Sequence, residues 1–149
     1  MTKPNEQDDF WNEEGGQSWV DNIDRVEAMI SGLSAHLLAH AAPSAGEQVL
    51  DIGCGGGVSS AALARTVGPT GQVLGADISE IILNVARSRF TDTTNLTFTT
   101  ADAEVFPFSA KTYDLITSRF GVMFFADPDA AFRNIYQAGK PGARMVYLC

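Results

Sequence analysis

The chain is short of positive charge, of cysteine and of any long apolar run, and each shortage closes off a class of function. Ten Lys and Arg residues stand against eighteen Asp and Glu, giving a net charge of −8 and a pI near 4.5. A nucleic-acid partner normally requires a basic face, and anionic membrane surfaces attract polybasic segments, so neither is expected here. The two cysteines, Cys54 and Cys149, lie in a glycine turn and at the last position. They imply no disulfide framework, and a reducing, cytoplasmic setting is the natural reading. No apolar stretch is long enough to cross a bilayer, and the polar, acidic opening Met1 to Asp9 lacks the apolar core of a signal peptide. No membrane insertion is therefore expected. His36 and His40 share a helix face at i, i+4 without a third ligand nearby, so no metal site is implied.

What the chain does have is glycine, concentrated behind one short apolar run. Val49-Leu50-Asp51-Ile52 leads into Gly53-Cys54-Gly55-Gly56-Gly57, and a helical pattern follows from Val58 to Val67. This reads as a buried strand, a tight turn of bare backbone and a helix. Ligands of open α/β sheets bind at such strand ends, where glycine permits positive φ and close approach, and where a helix N-terminus offers unpaired N–H groups. The dinucleotide pattern G-x-G-x-x-G fails, because Val58 or Ser60 stands at the third glycine position in the two registers. That argues against an NAD-dependent oxidoreductase. The pattern present is D-x-G-x-G-x-G over Asp51, Gly53, Gly55 and Gly57, whose acid would repel a pyrophosphate and suit a cationic ligand.

The segment resembles motif I of the class I S-adenosylmethionine (SAM)-dependent methyltransferases. The whole chain is similar to their type-11 domains, of the ubiquinone/menaquinone-biosynthesis kind, from about Trp11 to Leu148. The resemblance implies that SAM is the cofactor and S-adenosylhomocysteine the product of a methyl transfer, and the acidic charge with an aromatic loop suggests a small, partly apolar acceptor. It implies a doubly wound, Rossmann-like α/β fold with a parallel sheet of order 3-2-1-4-5. It further implies that Asp77, closing the second strand, holds the ribose hydroxyls while Ile78 flanks the adenine. Asp102 would take the adenine amino group, with Ala103 supplying a backbone contact. Read from the residues, Asp77 suits two hydroxyl donors better than an N-cap, which Ser79 can supply. Asp102 taken alone is more often a helix cap but, third in a series of strand-end acids, reads as a ligand contact.

Around that frame, residues 1–15 read as an N-terminal arm, frayed over 1–9, and 16–149 as the SAM-binding domain. The domain divides into N-terminal helices over 16–42 and a Rossmann-like core over 47–149. Trp11 and Trp19 either pack the arm onto the core or form a lid, and the resemblance places a Trp19-like residue near the methionine end of the cofactor. Ile23, Val26, Ile30, Leu33 and Leu37 form one helical stripe, which Ser31-Gly32 is expected to break into two helices with Ser31 or Ser34 as cap. The strand Leu96–Thr100 is expected to be followed by a short helix, then by the strand from Tyr113 to Ser118. Cofactor contacts are thus expected from Trp19, Asp51, Gly53, Cys54, Gly55, Gly57, Asp77, Ile78, Asp102, Ala103 and Ser118. Arg119, Phe120, Met123, Phe124 and Phe125 either line an apolar substrate pocket or cover the sheet. No His, Asp or Glu stands between Ser118 and Ala126, so no catalytic base is apparent. A turn over 140–144 and a fifth strand over 145–148 close the chain. Members of the family continue into two more strands, so the domain reads as cut short. That leaves a sticky fifth-strand edge for self-association, and a catalytically silent SAM-binding module as the alternative to an enzyme.

Overall fold

Apolar runs that alternate with helical patterns fold as parallel strands joined by helices. A computed structural model describes residues 6–149. Five strands, β1 (Gln48–Ile52), β2 (Gln72–Asp77), β3 (Leu96–Thr100), β4 (Tyr113–Arg119) and β5 (Gly139–Leu148), form one sheet. All pairings are parallel, and the order is β3-β2-β1-β4-β5. Helices α1 (Glu6–Asn12), α2 (Glu14–Asp21) and α3 (Ile23–Ala41) precede the sheet. The crossovers are α4 (Val58–Val67), α5 (Glu80–Arg89) and α6 (Pro128–Ala138). This is the Rossmann-like arrangement that the resemblance implies.

The core follows the two-residue period of a strand. Val49 of β1 faces one helical layer, with Ala41 of α3 and Ala61, Leu63, Ala64 and Val67 of α4. Leu50 and Ile52 face the opposite layer, with Ile116 of β4 and Ile135 and Ala138 of α6. Each such aliphatic side chain contributes about 1.5–3 kcal/mol on burial. The same alternation decides where Asp51 points. It shares the Val49 face, so its carboxylate turns toward the first turn of α4.

Four local expectations are corrected. Helix α1 starts at Glu6, so residues 6–9 are helical and only 1–5 lie outside the described residues. Helix α3 runs unbroken through Ser31-Gly32, because Gly32 faces open space and both serines return their hydroxyls to helix carbonyls. No helix forms between β3 and β4; Val105 and Phe106 N–H groups both close a turn on the Asp102 carbonyl. Strand β5 begins at Gly139 rather than after a turn, absorbing Lys140-Pro141-Gly142 through an irregularity opposite Tyr113 and Leu115.

The register brings the functional ends together. Ile52 pairs with Ala76 on one side and with Ser118 on the other, so the β1, β2 and β4 termini lie level. The chain leaves β1 toward β2 and later returns to β4 on the opposite side, which opens a cleft at that switch point. The N-terminal helices close over it. Asn12 brackets the turn into α5, donating to the Ile78 carbonyl at 3.0 Å and accepting from the Glu80 N–H at 2.9 Å. Ser79 Oγ adds a 2.6 Å bond to the Trp11 carbonyl.

Candidate functional site

The strand ends and the N-terminal helices enclose a cavity of about 340 Å³, a size that holds a small ligand. Its floor is glycine. Gly53 and Gly55 have φ of +64° and +53°, the left-handed region that favours glycine. A Cβ on Gly53 would lie 2.7 Å from Gly121 Cα, so two stretches of bare backbone touch across the switch point.

The β2–β3 side of the cleft carries carboxylates. Asp77 accepts the Gly55 N–H at 2.8 Å through Oδ2 and the Ser79 N–H at 2.9 Å through Oδ1. Each oxygen can accept a further donor. Ser79, not Asp77, caps α5, its hydroxyl accepting from Ile82 N–H. Burial pushes the Asp77 carboxyl above its usual range, against the pull of the Ser79, Gly55 and Ile78 backbone N–H groups. Asp102 accepts the Glu104 N–H at 2.9 Å, and it lines the cavity with Ile78, Ala103 and Glu104.

The β4 side carries the cation and the aromatics. Arg119 lies 5% exposed at its side chain and forks onto Glu27 of α3, 10% exposed, with bonds of 2.8 and 2.7 Å. A third bond, 2.7 Å, reaches Ser34 Oγ. Removing one partner of so buried a pair costs about 3–5 kcal/mol, because the other charge is stranded. Phe120 follows with φ of +61°, a conformation costing a non-glycine residue about 1–2 kcal/mol. Its N–H is held by the Leu148 carbonyl at 2.8 Å, and the strained turn sets its ring in the cleft beside Met123, Phe124 and Phe125. Overhead, Trp11 meets Trp19 and Phe124 edge to face at 6.3 and 5.4 Å. The indole Nε1 of Trp19 is buried in the wall without a partner.

The candidate residues Trp11, Trp19, Gly53, Gly55, Asp77, Ile78, Asp102, Ala103, Arg119, Phe120, Met123, Phe124 and Phe125 therefore share one cavity. Asp51, Cys54, Gly57 and Ser118 do not line it. Asp51 is fully buried behind the loop, its carboxylate taking hydroxyls from Ser59 and Ser60 at 2.7 Å and from Thr117 at 2.9 Å. Burial raises its carboxyl pKa, with those three hydroxyls opposing. Gly57 packs on Phe98, and Cys54 is buried, its thiol pushed well up by burial. Ser118 Oγ turns back to accept the Gly121 N–H at 3.2 Å. These four shape the loop from behind. Sequence reasoning missed Val26 and Ile30, read only as part of a helical stripe but lining the cleft, and Glu104. It also missed Glu27, whose bond to Arg119 spans 92 residues and leaves no local signal.

With this geometry in view, the likenesses to known proteins are specific. The methyltransferase domain family matches residues 49–142. The ubiquinone/menaquinone biosynthesis C-methyltransferase UbiE of Saccharophagus degradans is 42% identical over 106 residues, covering 69% of this chain and 43% of that protein. The chain thus spans less than half the length of that relative. Among solved structures, the Haemonchus contortus phosphoethanolamine N-methyltransferase 2 in complex with SAM is 29% identical with a TM-score of 0.70, covering 78% of this chain and 27% of that one. The [4+2]-cyclase SpnF shares the fold, with a TM-score of 0.69 at 24% identity, covering 77% of this chain and 43% of that one. A family match over well over half of its residues, on a sheet of matching order, places the chain in the methyltransferase domain family.

Proposed function

We propose that the cleft binds SAM and that the chain transfers its methyl group to a small, partly apolar acceptor. The observation that carries this reading is Asp77. Its two oxygens are half used by backbone N–H groups beside a glycine floor, and they retain acceptor capacity for two ribose hydroxyls. Ile78 and Ala103 would flank the adenine, and Asp102 would accept its amino group. The buried, unpartnered Trp19 Nε1 calls for an acceptor that a ligand brings. The residues present fit the cofactor.

When bound, SAM supplies a methyl group already activated on a sulfonium. The protein's part is then chiefly alignment and exclusion of water. The Trp11–Trp19–Phe124 roof would shield the bound cofactor from water, and the strained Phe120 ring with Met123 and Phe124 would hold the acceptor's apolar part. A base is required only for an acceptor that must lose a proton, and no imidazole lines the cleft. Carbon, the acceptor atom in the name of the UbiE relatives, is the first chemistry to assay. The two unpaired cysteines suit a reducing cytoplasm, and no helix among the described residues is long and apolar enough to cross a membrane. We also propose that copies of the chain associate through the outer edge of β5.

Calorimetric titration with SAM, S-adenosylhomocysteine and NAD tests the reading. SAM and S-adenosylhomocysteine should bind, and Asp77→Ala should weaken both by about 100-fold or more, since two hydrogen bonds to a charged acceptor are lost. Binding of NAD alone would overturn it. A second reading, a silent SAM-binding module, is favoured by the engagement of Asp77, Asp102 and Glu104 with backbone N–H groups, which leaves no carboxylate poised as a base. A fold that also carries a cyclase is not tied to one reaction. Transfer of a labelled methyl to any acceptor separates the two readings.

A further inference from the structure

Arg119 has a second hydrogen-bonding edge that nothing among the described residues uses. Both Nη1 hydrogens are spent, on Glu27 and on Ser34, and one Nη2 hydrogen completes the fork onto Glu27. A guanidinium has five N–H donors in a fixed plane. The two left over, on Nε and Nη2, lie side by side on the edge facing away from Cδ. That edge is the geometry that grips a carboxylate through two parallel bonds. Arg119 keeps 7% exposure and lines the cavity, where it is the single basic residue among the described residues. Glu27 balances its charge, so the guanidinium adds donors to the cleft without a net charge that would repel a sulfonium.

The cleft is therefore polar in one direction. Unused acceptor capacity lies at the β2 end, on Asp77, and unused donors lie at the β4 end, on Arg119, with Trp19 Nε1 in the wall above Gly55. A ligand that matches has hydroxyl donors at one end and an anion at the other. We propose that the Nε–Nη2 edge of Arg119 binds the methionyl carboxylate of SAM, which makes Arg119 a cofactor-positioning residue rather than a substrate contact. The inference rests on SAM binding at this site. It places the cofactor's length across the switch point, from Asp77 to Arg119, with Glu27 and Ser34 fixing the plane of the guanidinium.

The test is a double cycle of calorimetric titrations with SAM and decarboxylated SAM, which differ in the carboxylate alone. The proteins are the unmodified chain, Arg119→Met, and the pair Glu27→Gln with Arg119→Met, which leaves no stranded charge if the single variant fails to fold. The unmodified chain should prefer SAM, and that preference should shrink by about 10-fold or more in both variants, while affinity for decarboxylated SAM stays within about 2-fold. Equal losses for the two ligands would make Arg119 merely structural and overturn the proposal. So would a preference that survives its removal. Failure of the unmodified chain to bind either ligand would instead sink the SAM reading itself, so the two failures are distinct.

Discussion

Tyr147 carries a buried hydroxyl with no hydrogen-bond partner, and burial pushes its pKa up to about 12. A phenol in that position contributes its ring to the core beside Phe132, at 5.8 Å between centroids, and a desolvation penalty through its oxygen. An unsatisfied buried hydroxyl costs about 1–3 kcal/mol. Tyr147→Phe keeps the ring and should raise stability by about 1 kcal/mol, or about 2–4 °C in melting temperature. Thermal unfolding followed by circular dichroism measures it, and a fall in melting temperature would mean that the hydroxyl has a partner. Asp51 is the opposite case at the same scale. Its charge is buried more deeply, but three hydroxyls meet it, and it ties β1, β4 and the start of α4 into one unit.

At the scale of elements, α3 shows local propensity yielding to length. Ser31-Gly32 reads as a break, yet a 19-residue helix passes through it because the buried Leu37 and Ala41 anchor the second half on the sheet. Gly32 then carries only its intrinsic cost. It has helical backbone and no heavy atom within 4 Å of an added Cβ, so Gly32→Ala should stabilise the chain by about 0.5–1 kcal/mol. Chemical denaturation would read the gain as a higher midpoint at unchanged slope. A loss would show that the helix needs flexibility there. The β3–β4 connection errs in the other direction. Phe106-Pro107-Phe108 forms no helix because Asn134 of α6 donates to the Ala103 and Phe106 carbonyls, holding that segment open against the cleft.

At the scale of the molecule, β3 and β5 are the edge strands of the sheet among the described residues, and β5 is the longer and more apolar edge. Met145 is 37% exposed on it, and Phe132 and Tyr136 stand exposed on α6. Backbone groups and apolar area together make such an edge a template for a second chain. Sedimentation velocity should show concentration-dependent dimers, reduced by Met145→Lys, which places a charge on the strand. A strictly monomeric species at high concentration would refute the interface.

The sequence by itself determined the alternation of strands and helices, the glycine floor and the acid at the end of β2, while the strand order came only from the family resemblance until the sheet showed it. Each of those three is written in short-range pattern: apolar runs, a run of glycines that permits positive φ, and a carboxylate closing a buried strand. It could not say which way side chains face once strands and helices pack. Asp51 sits in the same motif as Gly53, but the two-residue period turns it toward α4 and out of the cleft. Glu27 meets Arg119, and Trp11 meets Phe124, only because α1, α2 and α3 fold back over the sheet ends. Those contacts join residues far apart in the chain, so no local pattern encodes them, and the tertiary structure alone decided them.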